Sequence, residues 1–474
     1  MSSTHLLGLA VFLGGLSLLV YRLSGLGRRP GDYPPGPPTL PFIGNLLQMP
    51  KEKGHLQFEK WAKQYGPIYS LILGTQTLIV LSSEHAMKDL LERRGAIYSS
   101  RPDSYLAHDI LSGGHRVVHM TYNKSLKLAR KLARKVLDDS IIQSTFLAYQ
   151  DLESRAMLLG FLETPEHFSN HLKRFTCSFT TQMVFGHRTP GSDDAFMKKL
   201  FYPCAAAMFA EVQESEGLSD DRMGYFAGSL LQAGSETTMA TLLGFVQAMV
   251  IFPDVAQAAQ AEIDRVCGDR LPSLDDWESL AYVRGCIKES LRWMPTAILG
   301  VPHSVDVEDR YMGYRFPKNA SVIYNVWAIH NDPKRHPNPR NFDPTRWAGD
   351  NQNSYESARN EDVTQRDHYA FGMGRRMCLA TNLVDQFLFL AISRLLWSFD
   401  FKRAIDEKTK QEIIPDMNDL AKGLFTMPSP FKANILPRYG ARAQRIREDW
   451  SNASKELLDD GSQWKEIPVT PWKG

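Results

Sequence analysis

The chain has 474 residues, enough for two or three average domains or for one large enzyme with a continuous core. A formal net charge of +2 with 23% charged residues speaks against a disordered chain and against a nucleic-acid partner. Five cysteines without regular spacing (Cys177, Cys204, Cys267, Cys286, Cys378) exclude a disulfide framework, fit a reducing compartment and form no zinc-site pattern.

At the N-terminus, Leu6 to Tyr21 is apolar or small throughout, with no charge until Arg22. As a helix it would span about 24 Å at roughly 1.5 Å per residue, short but sufficient for the thinner endoplasmic reticulum bilayer. Arg22, Arg28 and Arg29 follow it and no positive residue precedes it, so the expectation is a single-pass anchor over 1–22 with the rest in the cytosol. The competing reading is a cleaved signal peptide, which calls for a basic residue before the run and a small-residue cleavage site after it. Residues 23–50, with Pro34-Pro35-Gly36-Pro37-Pro38, read as a stiff hinge.

Ile68 to Ser82 alternates like a hairpin around Gly74. Lys124 to Leu137 predicts an amphipathic helix with Leu126, Ala129, Leu132, Ala133 and Val136 on its apolar stripe, and Lys124, Lys127, Lys131, Arg134 and Lys135 opposite. That basic face is either simply solvated or a surface for an acidic partner. Ser219-Asp220-Asp221 caps a long helix running to about Ile251, with Pro253 beyond it. Near its middle stands Ala233-Gly234-Ser235-Glu236-Thr237-Thr238. Glycine costs about 1 kcal/mol against alanine inside a helix, and an acid beside two threonines burdens an apolar one. A Gly-kinked helix with threonines bonded back to carbonyls is the plain structural explanation.

Trp277 to Trp293 predicts a helix that places Glu289 and Arg292 on one face. Val301 to Asn325 predicts short strands, and Phe342-Asp343-Pro344-Thr345-Arg346-Trp347 follows them. Then comes Phe371-Gly372-Met373-Gly374-Arg375-Arg376-Met377-Cys378-Leu379-Ala380, ahead of an apolar run to Phe399 that reads as a buried helix. A cysteine at a helix N-terminus meets partial positive charge that favours a thiolate, the form that binds metal. Gly423 to Pro428 and Phe431 to Leu436 read as turn and strand, and 441–474 as a charged tail.

The pattern Phe371, Gly374, Arg376, Cys378 resembles the haem-binding loop of the cytochrome P-450 superfamily. The acid–threonine segment at 233–238, the Glu289/Arg292 pair and the Pro344-Thr345-Arg346-Trp347 stretch resemble further parts of that family, in its order. The chain looks like a microsomal member similar to those of fungal secondary metabolism. The resemblance implies a mainly α fold with a small β-sheet region and a haem-thiolate catalytic domain over 51–440. It implies Cys378 as the axial ligand of haem b, with Gly374 allowing a tight turn, Phe371 shielding the sulfur, and Arg376, Lys127, Arg130 and His303 toward the propionates. It implies Gly234 as room for dioxygen, Thr237 as its hydrogen-bond partner, Glu236 as proton relay, and Glu289, Arg292 and Arg346 as a structural network.

Electrons would come from NADPH through a membrane-bound flavoprotein reductase docking near Lys127, Lys131 and Arg134, and the product would be an oxidised hydrophobic small molecule. Apolar pocket candidates are Tyr105, Leu106, Leu111, Phe226, Leu230, Ala297 to Val301, Leu424 and Phe425. Three departures stand out. Leu126 occupies the place of the family's tryptophan in Trp-Arg-x-x-Arg, Ala380 that of its final glycine, and Gly186 to Ser219 has room for one helix (Asp194 to Glu214) where a longer distal roof is usual. A haem-binding but catalytically impaired relative, and a reductase-independent isomerase or dehydratase of the same fold, are the alternatives.

Overall fold

The computed structural model describes residues 25–191 and 218–468, together with His5, Gly8, 12–15 and Asp194. The expected anchor over 1–22 and the expected helix from Asp194 to Glu214 therefore lie almost wholly outside the described residues. Among the described residues no single helix is long and apolar enough to cross a membrane. Packing divides the chain into two compact units, the smaller comprising Met1–Pro102, Leu299–Ile329 and Met373–Arg376.

The smaller unit holds a four-stranded sheet in the order β1-β2-β6-β3. Its hairpin of β1 (Ile68–Leu73) and β2 (Gln76–Leu81) turns at Gly74, as the alternation predicts. β6 (Ser321–Tyr324) runs parallel to β2, and β3 (His303–Ser304) pairs antiparallel with β6. β4 (Asp309–Tyr311) and β5 (Tyr314–Phe316) form a separate hairpin. Helix α1 (Gly54–Tyr65) packs Phe58 and Trp61 against Tyr69, Leu71 and Val80 of the sheet. The proline-rich stretch is part of this unit and does not run free. Arg29 donates to the carbonyls of Gly36, Pro37 and Ser70, and Ser70 donates from its backbone to Pro35.

The larger unit is helical. Its α2 (Lys124–Val136) buries the five stripe residues read from the sequence, because a 3.6-residue period puts them on one face. α3 (Leu147–Glu163) packs on α4 (Phe168–Phe185), and α4 packs on α5 (Asp220–Ile251), whose Ser219 cap accepts from Arg222 N–H at 3.4 Å. Pro253 ends α5 by opening a new helix, α6 (Pro253–Cys267), bent 106° away. α7 (Ala281–Trp293) starts four residues after Trp277, and α8 (Thr381–Ser398) leads into the three-stranded sheet of β7 (Phe399–Ile405), β8 (Glu412–Ile413) and β9 (Ala433–Pro437).

The charged tail folds as well. In α9 (Gly440–Leu457), Arg442 lies buried over the Trp397 ring at 4.8 Å and joins Arg438 in pairing with Asp264. Beyond it, Gln463 brackets the backbone of Arg188 with two bonds of 2.8 and 2.9 Å, and Trp464 Nε1 donates to Gln182 on α4. Buried Glu153 on α3 pairs with both Arg188 and Arg174.

The Glu289 carboxylate is fully buried and receives Arg292 Nε and Nη2 at 2.8 and 2.7 Å, Asp343 N–H at 3.0 Å, Trp347 Nε1 at 3.1 Å and Arg346 Nε at 3.4 Å. The three network residues read from the sequence thus meet, with Trp347 as an additional donor. An ion pair so well bonded tolerates burial, whereas one partner left alone does not. Arg292→Leu should lower stability by roughly 3–5 kcal/mol. A urea-unfolding midpoint unchanged from wild type would contradict this.

Candidate active site

In the larger unit the cysteine loop is closed by a backbone bond from Cys378 N–H to Phe371 O at 2.9 Å. The Phe371 ring meets His368 edge to face at 5.2 Å, and Arg130 of α2 donates to Met377 O at 2.9 Å. Arg130 stays a cation despite its burial, because a guanidinium does not deprotonate in proteins. Lys127, one turn away, is exposed and stacks over Tyr122 at 5.0 Å. Cys378 Sγ accepts one bond, from Ala380 N–H at 3.4 Å, at the start of α8. Burial pushes the thiol up, and the Ala380 amide and the Arg130 charge pull it down without cancelling that effect. The helix terminus alone therefore does not produce a thiolate here. A bound cation does, because coordination deprotonates a thiol outright.

Earlier in the chain, in α5, Thr237 Oγ1 donates to Ala233 O at 2.6 Å, and Glu236 is exposed. Gly234 faces α4, where an added Cβ would stand 2.6 Å from Thr180 Cγ2. The room that glycine leaves on this side is taken by a neighbouring helix.

In the smaller unit, Gly374 has φ +68, and a Cβ there would meet Leu91 O at 2.1 Å, so both backbone conformation and close approach require glycine. Arg376 Nε donates to Ser99 O at 2.7 Å. His303 is buried, with Nδ1 2.6 Å from Tyr98 O. A carbonyl only accepts, so Nδ1 carries the proton, and burial with the Arg101 and Arg376 charges keeps the ring neutral. Nε2 is then an acceptor. A propionate at Nε2 would have to be met by the doubly protonated ring.

The cytochrome P450 family model matches residues 34–202 and 197–435. The chain belongs to the cytochrome P450 family. Cytochrome P450 monooxygenase virE of Hypocrea virens is 49% identical, the match covering 97% of this chain and 95% of that one. Cytochrome P450 monooxygenase fogE of Aspergillus ruber is 45% identical, covering 97% of each. fsoB of Humicola fuscoatra is 40% identical over the same shares. A solved zebra fish cytochrome P450 shares the fold at a TM-score of 0.67 and 22% identity, over 81% of this chain and all of that one. The protein is thus an oxidoreductase of the oxygen-incorporating monooxygenase class. The virE alignment is 527 positions long against a chain of 474, so at least 53 of them have no counterpart here.

A P450 carries haem with a thiolate on its iron, and the residues suit it. Among the described residues no cluster of three or more His, Cys, Asp or Glu could hold a bare metal ion. A single cysteine suits an iron whose other ligands come from a porphyrin. Two residues escaped the sequence reading. Arg101, in Ser100-Arg101-Pro102, donates to the carbonyls of Val301 and Pro302 and sets the field at His303 with Arg376. His330, at the end of the apolar run 326–329, joins Arg292 O through Nδ1 at 2.9 Å and accepts Tyr369 N–H on Nε2 at 2.8 Å. Burial keeps it neutral, as both bonds require.

Asp385, seven residues after the cysteine on α8, accepts Ser354 N–H at 2.7 Å and Ser354 Oγ–H at 2.6 Å. Burial nevertheless pushes its carboxyl up to about 7. The unfolded chain's aspartate titrates near ~3.9, so the folded state holds an extra proton between the two values. That stabilisation is complete below the lower value and lost as pH rises toward the upper. Asp385→Asn removes the group, so its melting temperature relative to wild type should climb between pH 4 and pH 7 and level off above. A difference constant with pH would show that no proton is held there.

Proposed function

We propose that the protein is a microsomal haem-thiolate monooxygenase that hydroxylates a hydrophobic small molecule in fungal secondary metabolism, with electrons from NADPH through a membrane-bound flavoprotein reductase. The observation that carries the reading is the cysteine loop, where Cys378 presents one sulfur between the Ala380 amide and the Arg130 guanidinium. Cys378 would hold haem b here, and the group would supply the redox-active iron needed for dioxygen chemistry.

The chain's own residues supply the rest. Cys378 Sγ would hold the iron, and Phe371 would shield the sulfur. In the larger unit Arg130 would offer a cation for a propionate; in the smaller unit, taken by itself, Arg376 would do so, and His303 would offer a donor when doubly protonated. Thr237 Oγ1 holds a proton it can redirect from Ala233 O, and the exposed Glu236 carboxylate can replace it from solvent. The basic face of α2, with Lys127, Lys131 and Arg134 exposed, suits an acidic reductase. Anchoring in the endoplasmic reticulum membrane through 1–22 would put that reductase within reach. Tyr105, Leu106 and Leu111 are exposed apolar groups and Phe226 a buried one, which suits a largely apolar substrate.

The competing reading is a chain that binds haem but turns over poorly. Reduction under carbon monoxide should give the red-shifted Soret band of thiolate ligation, and Cys378→His should abolish it. A histidine-type band in the wild type would overturn the assignment. Thr237→Ala should keep that band while diverting electrons from NADPH to hydrogen peroxide, roughly tenfold or more given the worth of a positioned proton donor. Reduction by the reductase should slow as salt rises from about 0.05 to 0.5 M, and Lys127→Glu with Lys131→Glu should flatten that dependence. A wild-type chain that shows the band but consumes no NADPH with reductase and extract would favour the impaired relative.

A further inference from the structure

We propose that Thr180 on α4 is a positioning residue that sets the rotation of α5 at the Glu236–Thr237 step. Its two branches do different work. The methyl Cγ2 occupies the notch above Gly234, 2.6 Å from where a Cβ would be. The hydroxyl lies 2.5 Å from Ser235 Oγ and 3.0 Å from the carbonyls of Thr176 and Cys177. The carbonyls of its own helix and Ser235 Oγ are alternative acceptors for its one proton, and each of them is reached from the rotamer that sets the methyl against Gly234. Ser235 Oγ in turn reaches Leu231 O at 2.8 Å.

One proton fills the Thr180–Ser235 contact in either arrangement, with Thr180 donating to Ser235 or Ser235 donating to Thr180. Both groups are buried, so either loss removes an interhelical bond that water does not replace. A helix turns 100° per residue, and Gly234 and Ser235 directly precede Glu236 and Thr237. Fixing the first two against α4 therefore fixes the direction in which the second two point. The same stretch is prone to bend, because hydroxyls bond back to the carbonyls of Leu231, Ala233 and Thr237. Thr180 is a contact from a neighbouring helix that holds a segment loosened in this way, and Cys177 of the same helix also bonds Ser235.

The proposal rests on the reading of Glu236 and Thr237 as the proton supply, and the experiment separates the two. Full-length haem-loaded protein is compared as wild type, Thr180→Val, Thr180→Ser and Thr237→Ala. Valine keeps the methyl and the volume but loses the hydroxyl, and serine keeps the hydroxyl. The carbon monoxide band should be the same in all four. Amide hydrogen exchange in a peptide covering 233–241 should be roughly fivefold faster in Thr180→Val, the order of magnitude of one buried hydrogen bond, and near wild type in Thr180→Ser. Peroxide formed per NADPH with reductase should rise in Thr180→Val and return in Thr180→Ser.

Exchange or peroxide unchanged in Thr180→Val, with Thr237→Ala raising peroxide, overturns the role of Thr180. If Thr237→Ala leaves peroxide unchanged, the proton-supply reading falls, and exchange alone decides whether Thr180 sets α5: faster in Thr180→Val supports it, equal rates refute it.

Discussion

The buried carboxylate of Glu289 is the point from which the larger unit is organised. With no water to solvate it, it must be met by donors, and it takes them from its own helix, from the backbone at Asp343 and from Arg346 and Trp347. Arg292, held in that geometry, presents its guanidinium to His330 O and its carbonyl to His330 Nδ1. The neutral imidazole then accepts Tyr369 N–H, two residues before Phe371. A charge buried in α7 thereby fixes the entry to the cysteine loop through a single ring whose tautomer is dictated from both sides.

The loop illustrates the division of labour between chain and cofactor. One amide and one guanidinium are too little to hold a thiolate against burial. The protein shapes the site, and a bound iron would complete its charge balance. The same economy appears at Gly374 and Gly234. Each glycine is required by a neighbouring element, Leu91 O in one case and the Thr180 methyl in the other.

The readable parts of the sequence were those where a local rule and the tertiary structure agree. The α2 stripe is buried residue for residue, Ser219 caps α5, and Glu289, Arg292 and Arg346 meet. What stayed hidden depends on partners far along the chain. α9 looks like a solvated tail because Arg442, one of its buried anchors, is a cation, and the distant Trp397 and Asp264 help make its burial tolerable. His303 could be placed by motif, but its proton position follows from Tyr98 O, which no spacing encodes. The role of Gly234 in helix packing required knowing that α4 lies against it. The expected stiff hinge is tied down by Arg29, Asn45, Gln48 and Ser70, which bond its carbonyls and which the proline pattern gives no reason to single out.

The family match ends at residue 435, yet the fold continues past it. Gln463 and Trp464 reach the segment after α4 and α4 itself, two positions from Thr180, and Arg438 and Arg442 neutralise Asp264 on α6. The C-terminal stretch is therefore a fastening strap on the helix that braces α5, and a domain boundary drawn from sequence similarity would cut through it. Any engineered shortening, chimera or fusion of this enzyme has to treat residues up to Trp464 as belonging to the catalytic body.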